Sequence, residues 1–433
     1  MPEERPTVAV LTLGCKLNQA DSEAIARRLV GNGVRVVDSP EANADAFVIN
    51  SCSVTHVADR KARHLVRLAR RLSPKAQIVL TGCYAETAPA DIAETTGADI
   101  VLRNTDKPSI ADSLIERLQE RGDPSAGCPT HLRDGLRTRA FIKIQEGCNE
   151  LCAFCIVPYT RGREVSVPID DVVEQVRARE SEGVLEVVLT GTQLGNYGRD
   201  LGWSEQGPRR LLEALLEHTS EPRIRLSSLQ AQDISPELLR LWQNPRLCPH
   251  FHLPLQSGSD VVLQAMRRRY DAAAYRGAIA LIRECVPDVA ITTDVIAGFP
   301  GETDEDFEAT YELCHEMRFA AMHCFPYSRR PHTGAANMLG HLDAPLRRAR
   351  LERLLELARE STSEFRRGFL GRDVDVLWEE EVGGLWRGLT GHYIRVYASN
   401  DCDLSNNLLP TTLIRLDGED VFGIIDVGAV INA

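Results

Sequence analysis

The chain of 433 residues contains no run approaching the roughly 18 uninterrupted apolar residues that a membrane-spanning helix needs. Its first residues, MPEERPTVAV, lack the apolar core of a signal peptide. These absences point away from secretion and membrane insertion and toward a cytoplasmic protein with no membrane partner. Positive charge is not in surplus either: 50 Lys and Arg stand against 62 Asp and Glu, a net charge of −12. The chain as a whole does not attract nucleic acid, so an anionic partner must be held by a local patch. There is no low-complexity tract. With 43% apolar and 26% charged residues, the composition is that of a folded protein long enough for two or three domains. Twelve cysteines without an export signal are better read as metal ligands, catalytic thiols or core residues than as disulfides.

Four early apolar runs, VAVLTLG, DAFVINS, QIVLTGC and DIVLRN, alternate with helical patterns over 21–32 and 59–72, which predicts a parallel α/β sheet. The polar stretch 104–137, with RGDPSAGCP inside it, reads as a linker. Six further strands, AFIKIQ, EVVLTG, IRLSSL, HFHLPLQ, ITTDVIAGF and AMHCFPYS, alternate with helical segments and predict a partial (β/α)6 barrel. A long charged helix over 344–367 closes this series. Beyond Gly368, short strands with Gly-containing turns predict a small all-β barrel. The expected domains are 5–130, 138–367 and 370–433.

GCNELCAFC places Cys148, Cys152 and Cys155 in a CxxxCxxC arrangement after the first strand of the expected barrel. Three thiolates on one loop can hold three irons of a cubane cluster and leave the fourth open for a substrate. Spacing alone leaves two other readings open: a zinc site short of one ligand, and three core cysteines.

The words around these cysteines decide between them. CAFC, with Phe154 between two thiols, resembles the radical S-adenosylmethionine (SAM) enzymes. That resemblance implies a [4Fe–4S] cluster whose open iron takes the amino and carboxylate groups of SAM. Gly191, Thr192 and Gln193 in LTGTQLGNYG then suit the amino-acid moiety of SAM, and Gln256 and Ser257 in HLPLQSGSD its ribose. Ile296 and Gly298 in DVIAGFPGET suit its adenine.

Cys15, Cys52 and Cys83 each lie just beyond a predicted parallel strand, 37 and 31 residues apart, so they can share one sheet edge. The alternative is three separate buried cysteines. TLGCKLNQADSE, NSCSVTHVADRKAR and TGCYAE are similar to the N-terminal domain of the methylthiotransferase branch of the radical SAM enzymes. The resemblance spans nearly the whole chain and implies a C-terminal TRAM domain. It also implies that these three cysteines hold a second [4Fe–4S] cluster carrying the sulfur to be transferred. The mechanism it implies uses two SAM molecules, one methylating that sulfur and one generating the radical that removes hydrogen from carbon 2 of an adenine ring. Cys128, Cys248, Cys285, Cys314, Cys324 and Cys402 share no context and read as packing or surface residues.

NSCSVTHVADRKAR, RAFIKIQEGCN and PLQSGSDVVLQAMRRRY resemble the branch that acts on threonylcarbamoyladenosine beside the tRNA anticodon. Two rivals use the same chemistry, on isopentenyladenosine in tRNA or on a ribosomal-protein aspartate. A more distant one is a non-enzymatic iron–sulfur RNA-binding or sensor protein. SSLQAQDIS and FPYSRRPHTGAA depart from the branch pattern, which has an acidic residue and proline after the serines, and a Pro–Gly turn in place of Pro331–His332. Threonylcarbamoyladenosine bears a carboxylate, for which Arg161, Arg163, Arg329 and Arg330 are the candidates.

Arg60, Arg63, Arg67, Arg70 and Arg71 recur at helical spacing, a stripe that reads equally as a contact with tRNA phosphates and as a solvated face opposite Ala62, Leu65, Val66, Ala69 and Leu72. Contact with tRNA is expected from WRGLTGHYIRVY, where Arg387 and Arg395 stand beside Trp386, Tyr393 and Tyr397. The implied partners are tRNA, a low-potential electron donor of flavodoxin or ferredoxin type, and a sulfur source.

Overall fold

The computed structural model describes residues 5–41, 43–89, 91–120, 138–203 and 206–426. The segment RGDPSAGCP, with Cys128, lies outside the described residues.

The N-terminal runs form a five-stranded parallel sheet ordered β2 (Arg35–Val37), β1 (Thr7–Thr12), β3 (Ala46–Ser51), β4 (Gln77–Gly82) and β5 (Ile100–Val101). Both faces are covered, which is why these strands read as continuous apolar runs. Val8, Val10, Ala46, Val48 and Val79 face a core shared with α1 (Lys16–Gly31). Ala9, Leu11, Phe47, Ile49, Ile78 and Leu80 face α2 (His56–Leu72). Short helices α3 (Cys83–Thr87) and α4 (Ile92–Thr96) follow β4.

The linker expectation fails over 104–120. A 3₁₀ turn leads there into α5 (Ile110–Glu120), whose Ile110, Leu114 and Leu118 join the core beside α1. These apolar residues recur every four positions, a helical period that the surrounding polar residues obscure.

The central part comprises two three-stranded parallel sheets. They are β10 (Arg223–Leu226), β9 (Glu186–Thr190) and β6 (Arg139–Lys143), and β11 (His250–His252), β12 (Ala290–Ala297) and β13 (Ala321–Pro326). An Ile224–Leu247 bridge joins them into a six-stranded partial barrel. A small antiparallel pair, β7 (Gln145–Glu146) and β8 (Val165–Ser166), frames the loop after β6. Strands β6 and β13 are the two free edges.

Helix α1 lies against β6, with Ala20 packed on Phe141 and Val188. Glu23 accepts the Phe141 N–H at 2.8 Å, supplying the partner that an edge strand lacks. The N-terminal domain thus covers the barrel seam.

The last strands, β14 (Asp373–Val382), β15 (Leu385–Thr390), β16 (Arg395–Ala398), β17 (Asn407–Asp417) and β18 (Asp420–Ile425), form a closed barrel ordered β14-β15-β16-β18-β17. WRGLTGHYIRVYA divides into β15, a turn with Tyr393 at φ 64°, and β16. Arg223 and Arg225, at the lower end of the central barrel, donate to the Leu389, Thr390 and Gly391 carbonyls and dock this module beneath it. No helix among the described residues is long and apolar enough to cross a membrane.

Candidate functional site

Cys148, Cys152 and Cys155 occupy the loop between β7 and the short helix α6 (Val157–Arg161). Gly147 holds φ 74°, and a Cβ there would lie 1.9 Å from the Arg163 carbonyl oxygen, so only glycine permits this crossing. The loop is pinned at Ala153, whose N–H donates to Met266 (2.9 Å) and whose carbonyl accepts from Ala335 (2.7 Å). Arg268 donates to Cys152 Sγ at 3.4 Å, and the Glu150 N–H to Cys148 Sγ at 3.4 Å. Burial, with repulsion from neighbouring thiols and acids, pushes Cys148 up to about 11 and Cys155 up to about 12. These thiols stay protonated until a metal takes the proton's place. Among the described residues, in neither cysteine triplet do the three sulfurs all lie within 4.8 Å of one another. Three thiols on each site, with no fourth cysteine beside them in sequence, suit a cluster that keeps one iron open.

Around this loop the expected SAM residues sort into two groups. Phe154 and Ile296 pack in one apolar cluster with Phe299 and Tyr327. The backbone N–H groups of Thr192 and Gln193 both donate to Gln145 Oε1 at 2.9 Å. The Thr192 hydroxyl and the Gln193 amide nitrogen are buried without a protein partner, as polar groups awaiting a ligand would be. Gly191 leaves no room for a Cβ, which would come within 2.8 Å of Leu194. Gln256, at φ 68°, links to β12 through the Asp294 carbonyl and the Ile296 N–H.

Ser257 does not serve as expected. It is fully buried and its hydroxyl bonds Thr310 and the Ser259 N–H, so it secures the turn rather than reaching a ribose. The backbone of Gly298 lies against Arg347 of the helix Ala344–Arg367, and its N–H donates to Glu302.

At the N-terminal sheet, Cys15 caps α1, Cys52 follows β3 and Cys83 opens α3. They stand at the same edge of neighbouring strands. A Cβ on Gly14 would lie 2.8 Å from Cys52 Sγ, and a Cβ on Gly82 2.3 Å from the Ser51 carbonyl oxygen, so both glycines bring strand ends into contact. Burial raises Cys52 to about 12, and repulsion from Cys83 and Cys15 adds to it.

Arg161 connects the two triplets. Its guanidinium pairs with Asp21 and with Glu146 (2.5 Å), and donates to Asn18. Burial opposes its charge, but Cys83, Asp21, Cys15 and Glu146 outweigh that and raise its pKa. Asp21 also binds Lys107 (2.7 Å) and Lys143 (2.8 Å). Burial works against the Asp21 carboxylate, yet these cations hold its pKa well below the usual range.

Arg330 likewise spans the domains, bonding Asp59 (2.9 Å) and Ser53 (2.8 Å) next to Cys52. Arg161 and Arg330 thus hold the two domains together through protein acceptors, although the buried Arg330 Nε keeps no partner among the described residues. Arg163 and Arg329 are exposed.

The expected RNA surfaces change as well. Arg63 bonds the Tyr84 hydroxyl and Arg70 bonds Asp99, leaving Arg60, Arg67 and Arg71 on the outer face of α2. Trp386 is buried in the C-terminal barrel core and cannot stack on a base. Arg387 pairs with Glu380. Both sequence departures acquire a role. Gln230 accepts from Arg268, the arginine on Cys152, and His332 takes a φ of 67° in place of glycine. Cys248 and Cys314 are buried, Cys324 is half-buried, and Cys285 and Cys402 are exposed, as packing or surface residues are.

Sequence patterns gave no notice of a cavity of about 1060 Å³ that runs from between the N-terminal domain and the C-terminal barrel into the central barrel. Lys16, Arg139, His250, His252, His323 and Tyr393 line it. Asp294 holds His252 (3.4 Å) and His323 (3.2 Å). The sequence signal was faint: the inward positions of short strands carry histidine and arginine where a filled barrel would carry valine or leucine.

A partial parallel barrel with three thiols on its first loop is the architecture of the radical SAM enzymes, and residues 142–314 match the radical SAM superfamily. A radical SAM methyltransferase from Kitasatospora setae, solved with tryptophan and a SAM analogue, shares this fold at 15% identity and a TM-score of 0.56, over 76% of this chain and 75% of that one. Residues 7–103 match the uncharacterized protein family UPF0004.

Three relatives are similar over most of their length. A threonylcarbamoyladenosine tRNA methylthiotransferase MtaB of Aquifex aeolicus is 38% identical, over 90% of this chain and 96% of that protein. The MtaB of Bacillus subtilis is 34% identical, over 94% of each. A tRNA-2-methylthio-N(6)-dimethylallyladenosine synthase of Desulfotalea psychrophila is 33% identical, over 90% and 91%. The chain belongs to the radical SAM tRNA methylthiotransferases. It is an enzyme that uses SAM and two [4Fe–4S] clusters.

Proposed function

We propose that the enzyme methylthiolates carbon 2 of threonylcarbamoyladenosine next to the tRNA anticodon, in the cytoplasm. The reading takes the domains as 5–130, 138–367 and 370–433. Cys148, Cys152 and Cys155 hold the cluster that binds SAM, and Cys15, Cys52 and Cys83 hold the second. Phe154, Gly191, Thr192, Gln193, Gln256, Ile296 and Gly298 surround SAM. When bound, these groups supply one-electron chemistry that removes hydrogen from an unactivated carbon, together with the sulfur and methyl group that replace it.

The residues of the chain prepare that reaction. Arg268 and the Glu150 N–H, both already at thiol sulfurs, stabilise thiolate charge. Phe154, Ile296, Phe299 and Tyr327 exclude water from the SAM side. Arg161, bonded to Asn18 and Asp21 of α1, fixes the distance between the two cysteine sites. A flavodoxin- or ferredoxin-type donor and a sulfur source act from outside.

The observation that carries the substrate assignment is the lining of the inner cavity. An isopentenyl group needs an apolar slot, whereas Lys16, Arg139, His250, His252, His323 and Tyr393 offer charge and hydrogen bonds. The test is methylthiolation of anticodon stem-loops bearing threonylcarbamoyladenosine or isopentenyladenosine, read by mass spectrometry of the nucleosides. Product from the first alone is expected. Product from the second alone would move the enzyme to the dimethylallyladenosine branch and leave its chemistry intact.

A further inference from the structure

The cation of the inner cavity nearest the N-terminal triplet in sequence, Lys16, makes no ion pair with a described residue. Lys16 follows Cys15 in sequence and opens α1. Its ammonium lies 5.2 Å from the centre of the Tyr393 ring. It is half-buried, and since protein surrounds it otherwise, what exposure it keeps is to the cavity. Among the described residues no carboxylate lies within ion-pair distance of it.

The neighbouring cations are satisfied. Arg139 pairs with Glu379 (2.6 Å), and Arg223 and Arg225 pair with Glu186 (2.6 and 2.8 Å). Arg223 and Arg225 are further tied to carbonyls of the C-terminal barrel. Lys16 and these three arginines make four positive charges against the two carboxylates of Glu186 and Glu379. Beside them the His250 ring stacks on Tyr393 at 4.7 Å, and the buried His250 Nδ1 has no partner. Withdrawing a cation from water is unfavourable without a paired anion, and among the described residues none stands at ion-pair distance from Lys16, Glu186 acting on it only from farther away.

We propose that Lys16 receives the carboxylate of the threonylcarbamoyl side chain, against the wall formed by Tyr393 and His250. This assignment rests on the substrate reading above. Of the anions on such a tRNA, the phosphates stay on the outer backbone, and only the modified base can enter the interior of a barrel. Lys16 is one residue from a thiol of the N-terminal triplet, so it would hold the charged end of the same base whose ring receives sulfur. Of the four arginines expected to hold the carboxylate, Arg161 and Arg330 are largely engaged by protein acceptors and Arg163 and Arg329 are exposed.

The test uses stem-loops carrying threonylcarbamoyladenosine or its primary amide, which removes the charge and keeps the shape. Reconstituted wild-type enzyme, Lys16→Met and Lys16→Arg are compared in kcat and KM. Stem-loop affinity is measured separately by fluorescence anisotropy on SAM-free protein. Wild type should favour the carboxylate by roughly 10- to 100-fold in kcat/KM, the worth of one charged hydrogen bond. Lys16→Met should lose that preference, chiefly through KM, and Lys16→Arg should recover part of it. A Lys16→Met enzyme that still prefers the carboxylate as wild type does overturns the assignment. So does an equal loss on both substrates together with lost iron, which would tie Lys16 to the neighbouring thiols. Failure of wild type itself on threonylcarbamoyladenosine is a separate result. It overturns the substrate reading, and this site with it.

Discussion

The two cysteine triplets reach similar ends by opposite routes. Cys148, Cys152 and Cys155 lie on a single loop, ordered by one strained glycine and two backbone hydrogen bonds at Ala153. Cys15, Cys52 and Cys83 are gathered from three strands and come together only when the parallel sheet has formed in its β1-β3-β4 order. Their surroundings differ too. The loop triplet has Arg268 at one sulfur, while the sheet triplet faces Arg161 and Lys107, cations anchored by Asp21. A local motif thus makes one site and long-range topology the other, so the second should depend far more on the stability of its domain.

The largest expected effect separates the triplets by chemistry. Anaerobically reconstituted protein should contain about eight irons, two cubanes' worth. Replacing Cys148, Cys152 and Cys155 by alanine should halve the iron and remove both deoxyadenosine formation and methylthiolation. Replacing Cys15, Cys52 and Cys83 should halve the iron, leave SAM cleavage on reduction, and stop sulfur insertion. Iron analysis and product chromatography read both results. Zinc in the intact protein, or a single cluster, would break the comparison at its root.

Next in size is the anchor between the triplets. Asp21 is buried against Lys107, Lys143 and Arg161, so Asp21→Asn leaves Lys107 without its carboxylate and the other two with Glu146 alone, and should cost about 3–5 kcal/mol. The loss should fall on the sheet side, with the N-terminal cluster released at lower urea than the loop cluster. The pH dependence follows from the depressed Asp21 pKa. Its contribution is complete above the ordinary carboxylate range and is lost as pH falls below it, since the unfolded chain takes up the proton first. Urea midpoints measured from neutral to acid pH should therefore decline for wild type and stay flatter for Asp21→Asn. Equal slopes would place the stabilisation elsewhere.

The same contrast governs how much the sequence revealed. The loop triplet could be read from CxxxCxxC because its geometry lies within eight residues. The sheet triplet needed the strand pattern as well, and the continuous apolar runs through Val8, Val10, Phe47 and Ile49 made that pattern plain. What stayed hidden were contacts between distant segments. Nothing near Arg161 announces Asn18 or Asp21, which lie about 140 positions away. Lys16 reads as an ordinary first-turn lysine until the C-terminal barrel brings Tyr393 against it. Helix α5 was obscured by its polar residues, and Ser257 was misjudged because its hydroxyl partner, Thr310, belongs to the helix Asp304–Met317.

The smallest effect concerns which side of the molecule grips RNA. Helix α2 begins four residues after Cys52, so the sheet-built site carries a basic surface with it. Arg60, Arg67 and Arg71 recur at helical spacing on its exposed face and make no ion pair with a described residue. The C-terminal hairpin offers less. Arg387 is held by Glu380, and removing it would free that carboxylate to repel phosphate. The triple change of Arg60, Arg67 and Arg71 to alanine should lower the slope of log affinity against log salt by roughly 0.7–0.9 per contact. Arg387→Ala with Arg395→Ala should lower it by about one contact's worth at most. Anisotropy titrations of one stem-loop over a range of salt concentrations give both slopes. A larger change from the hairpin pair would move the RNA grip to the C-terminal barrel. It would also mean that the sheet-built triplet meets its substrate without supplying the surface that holds it.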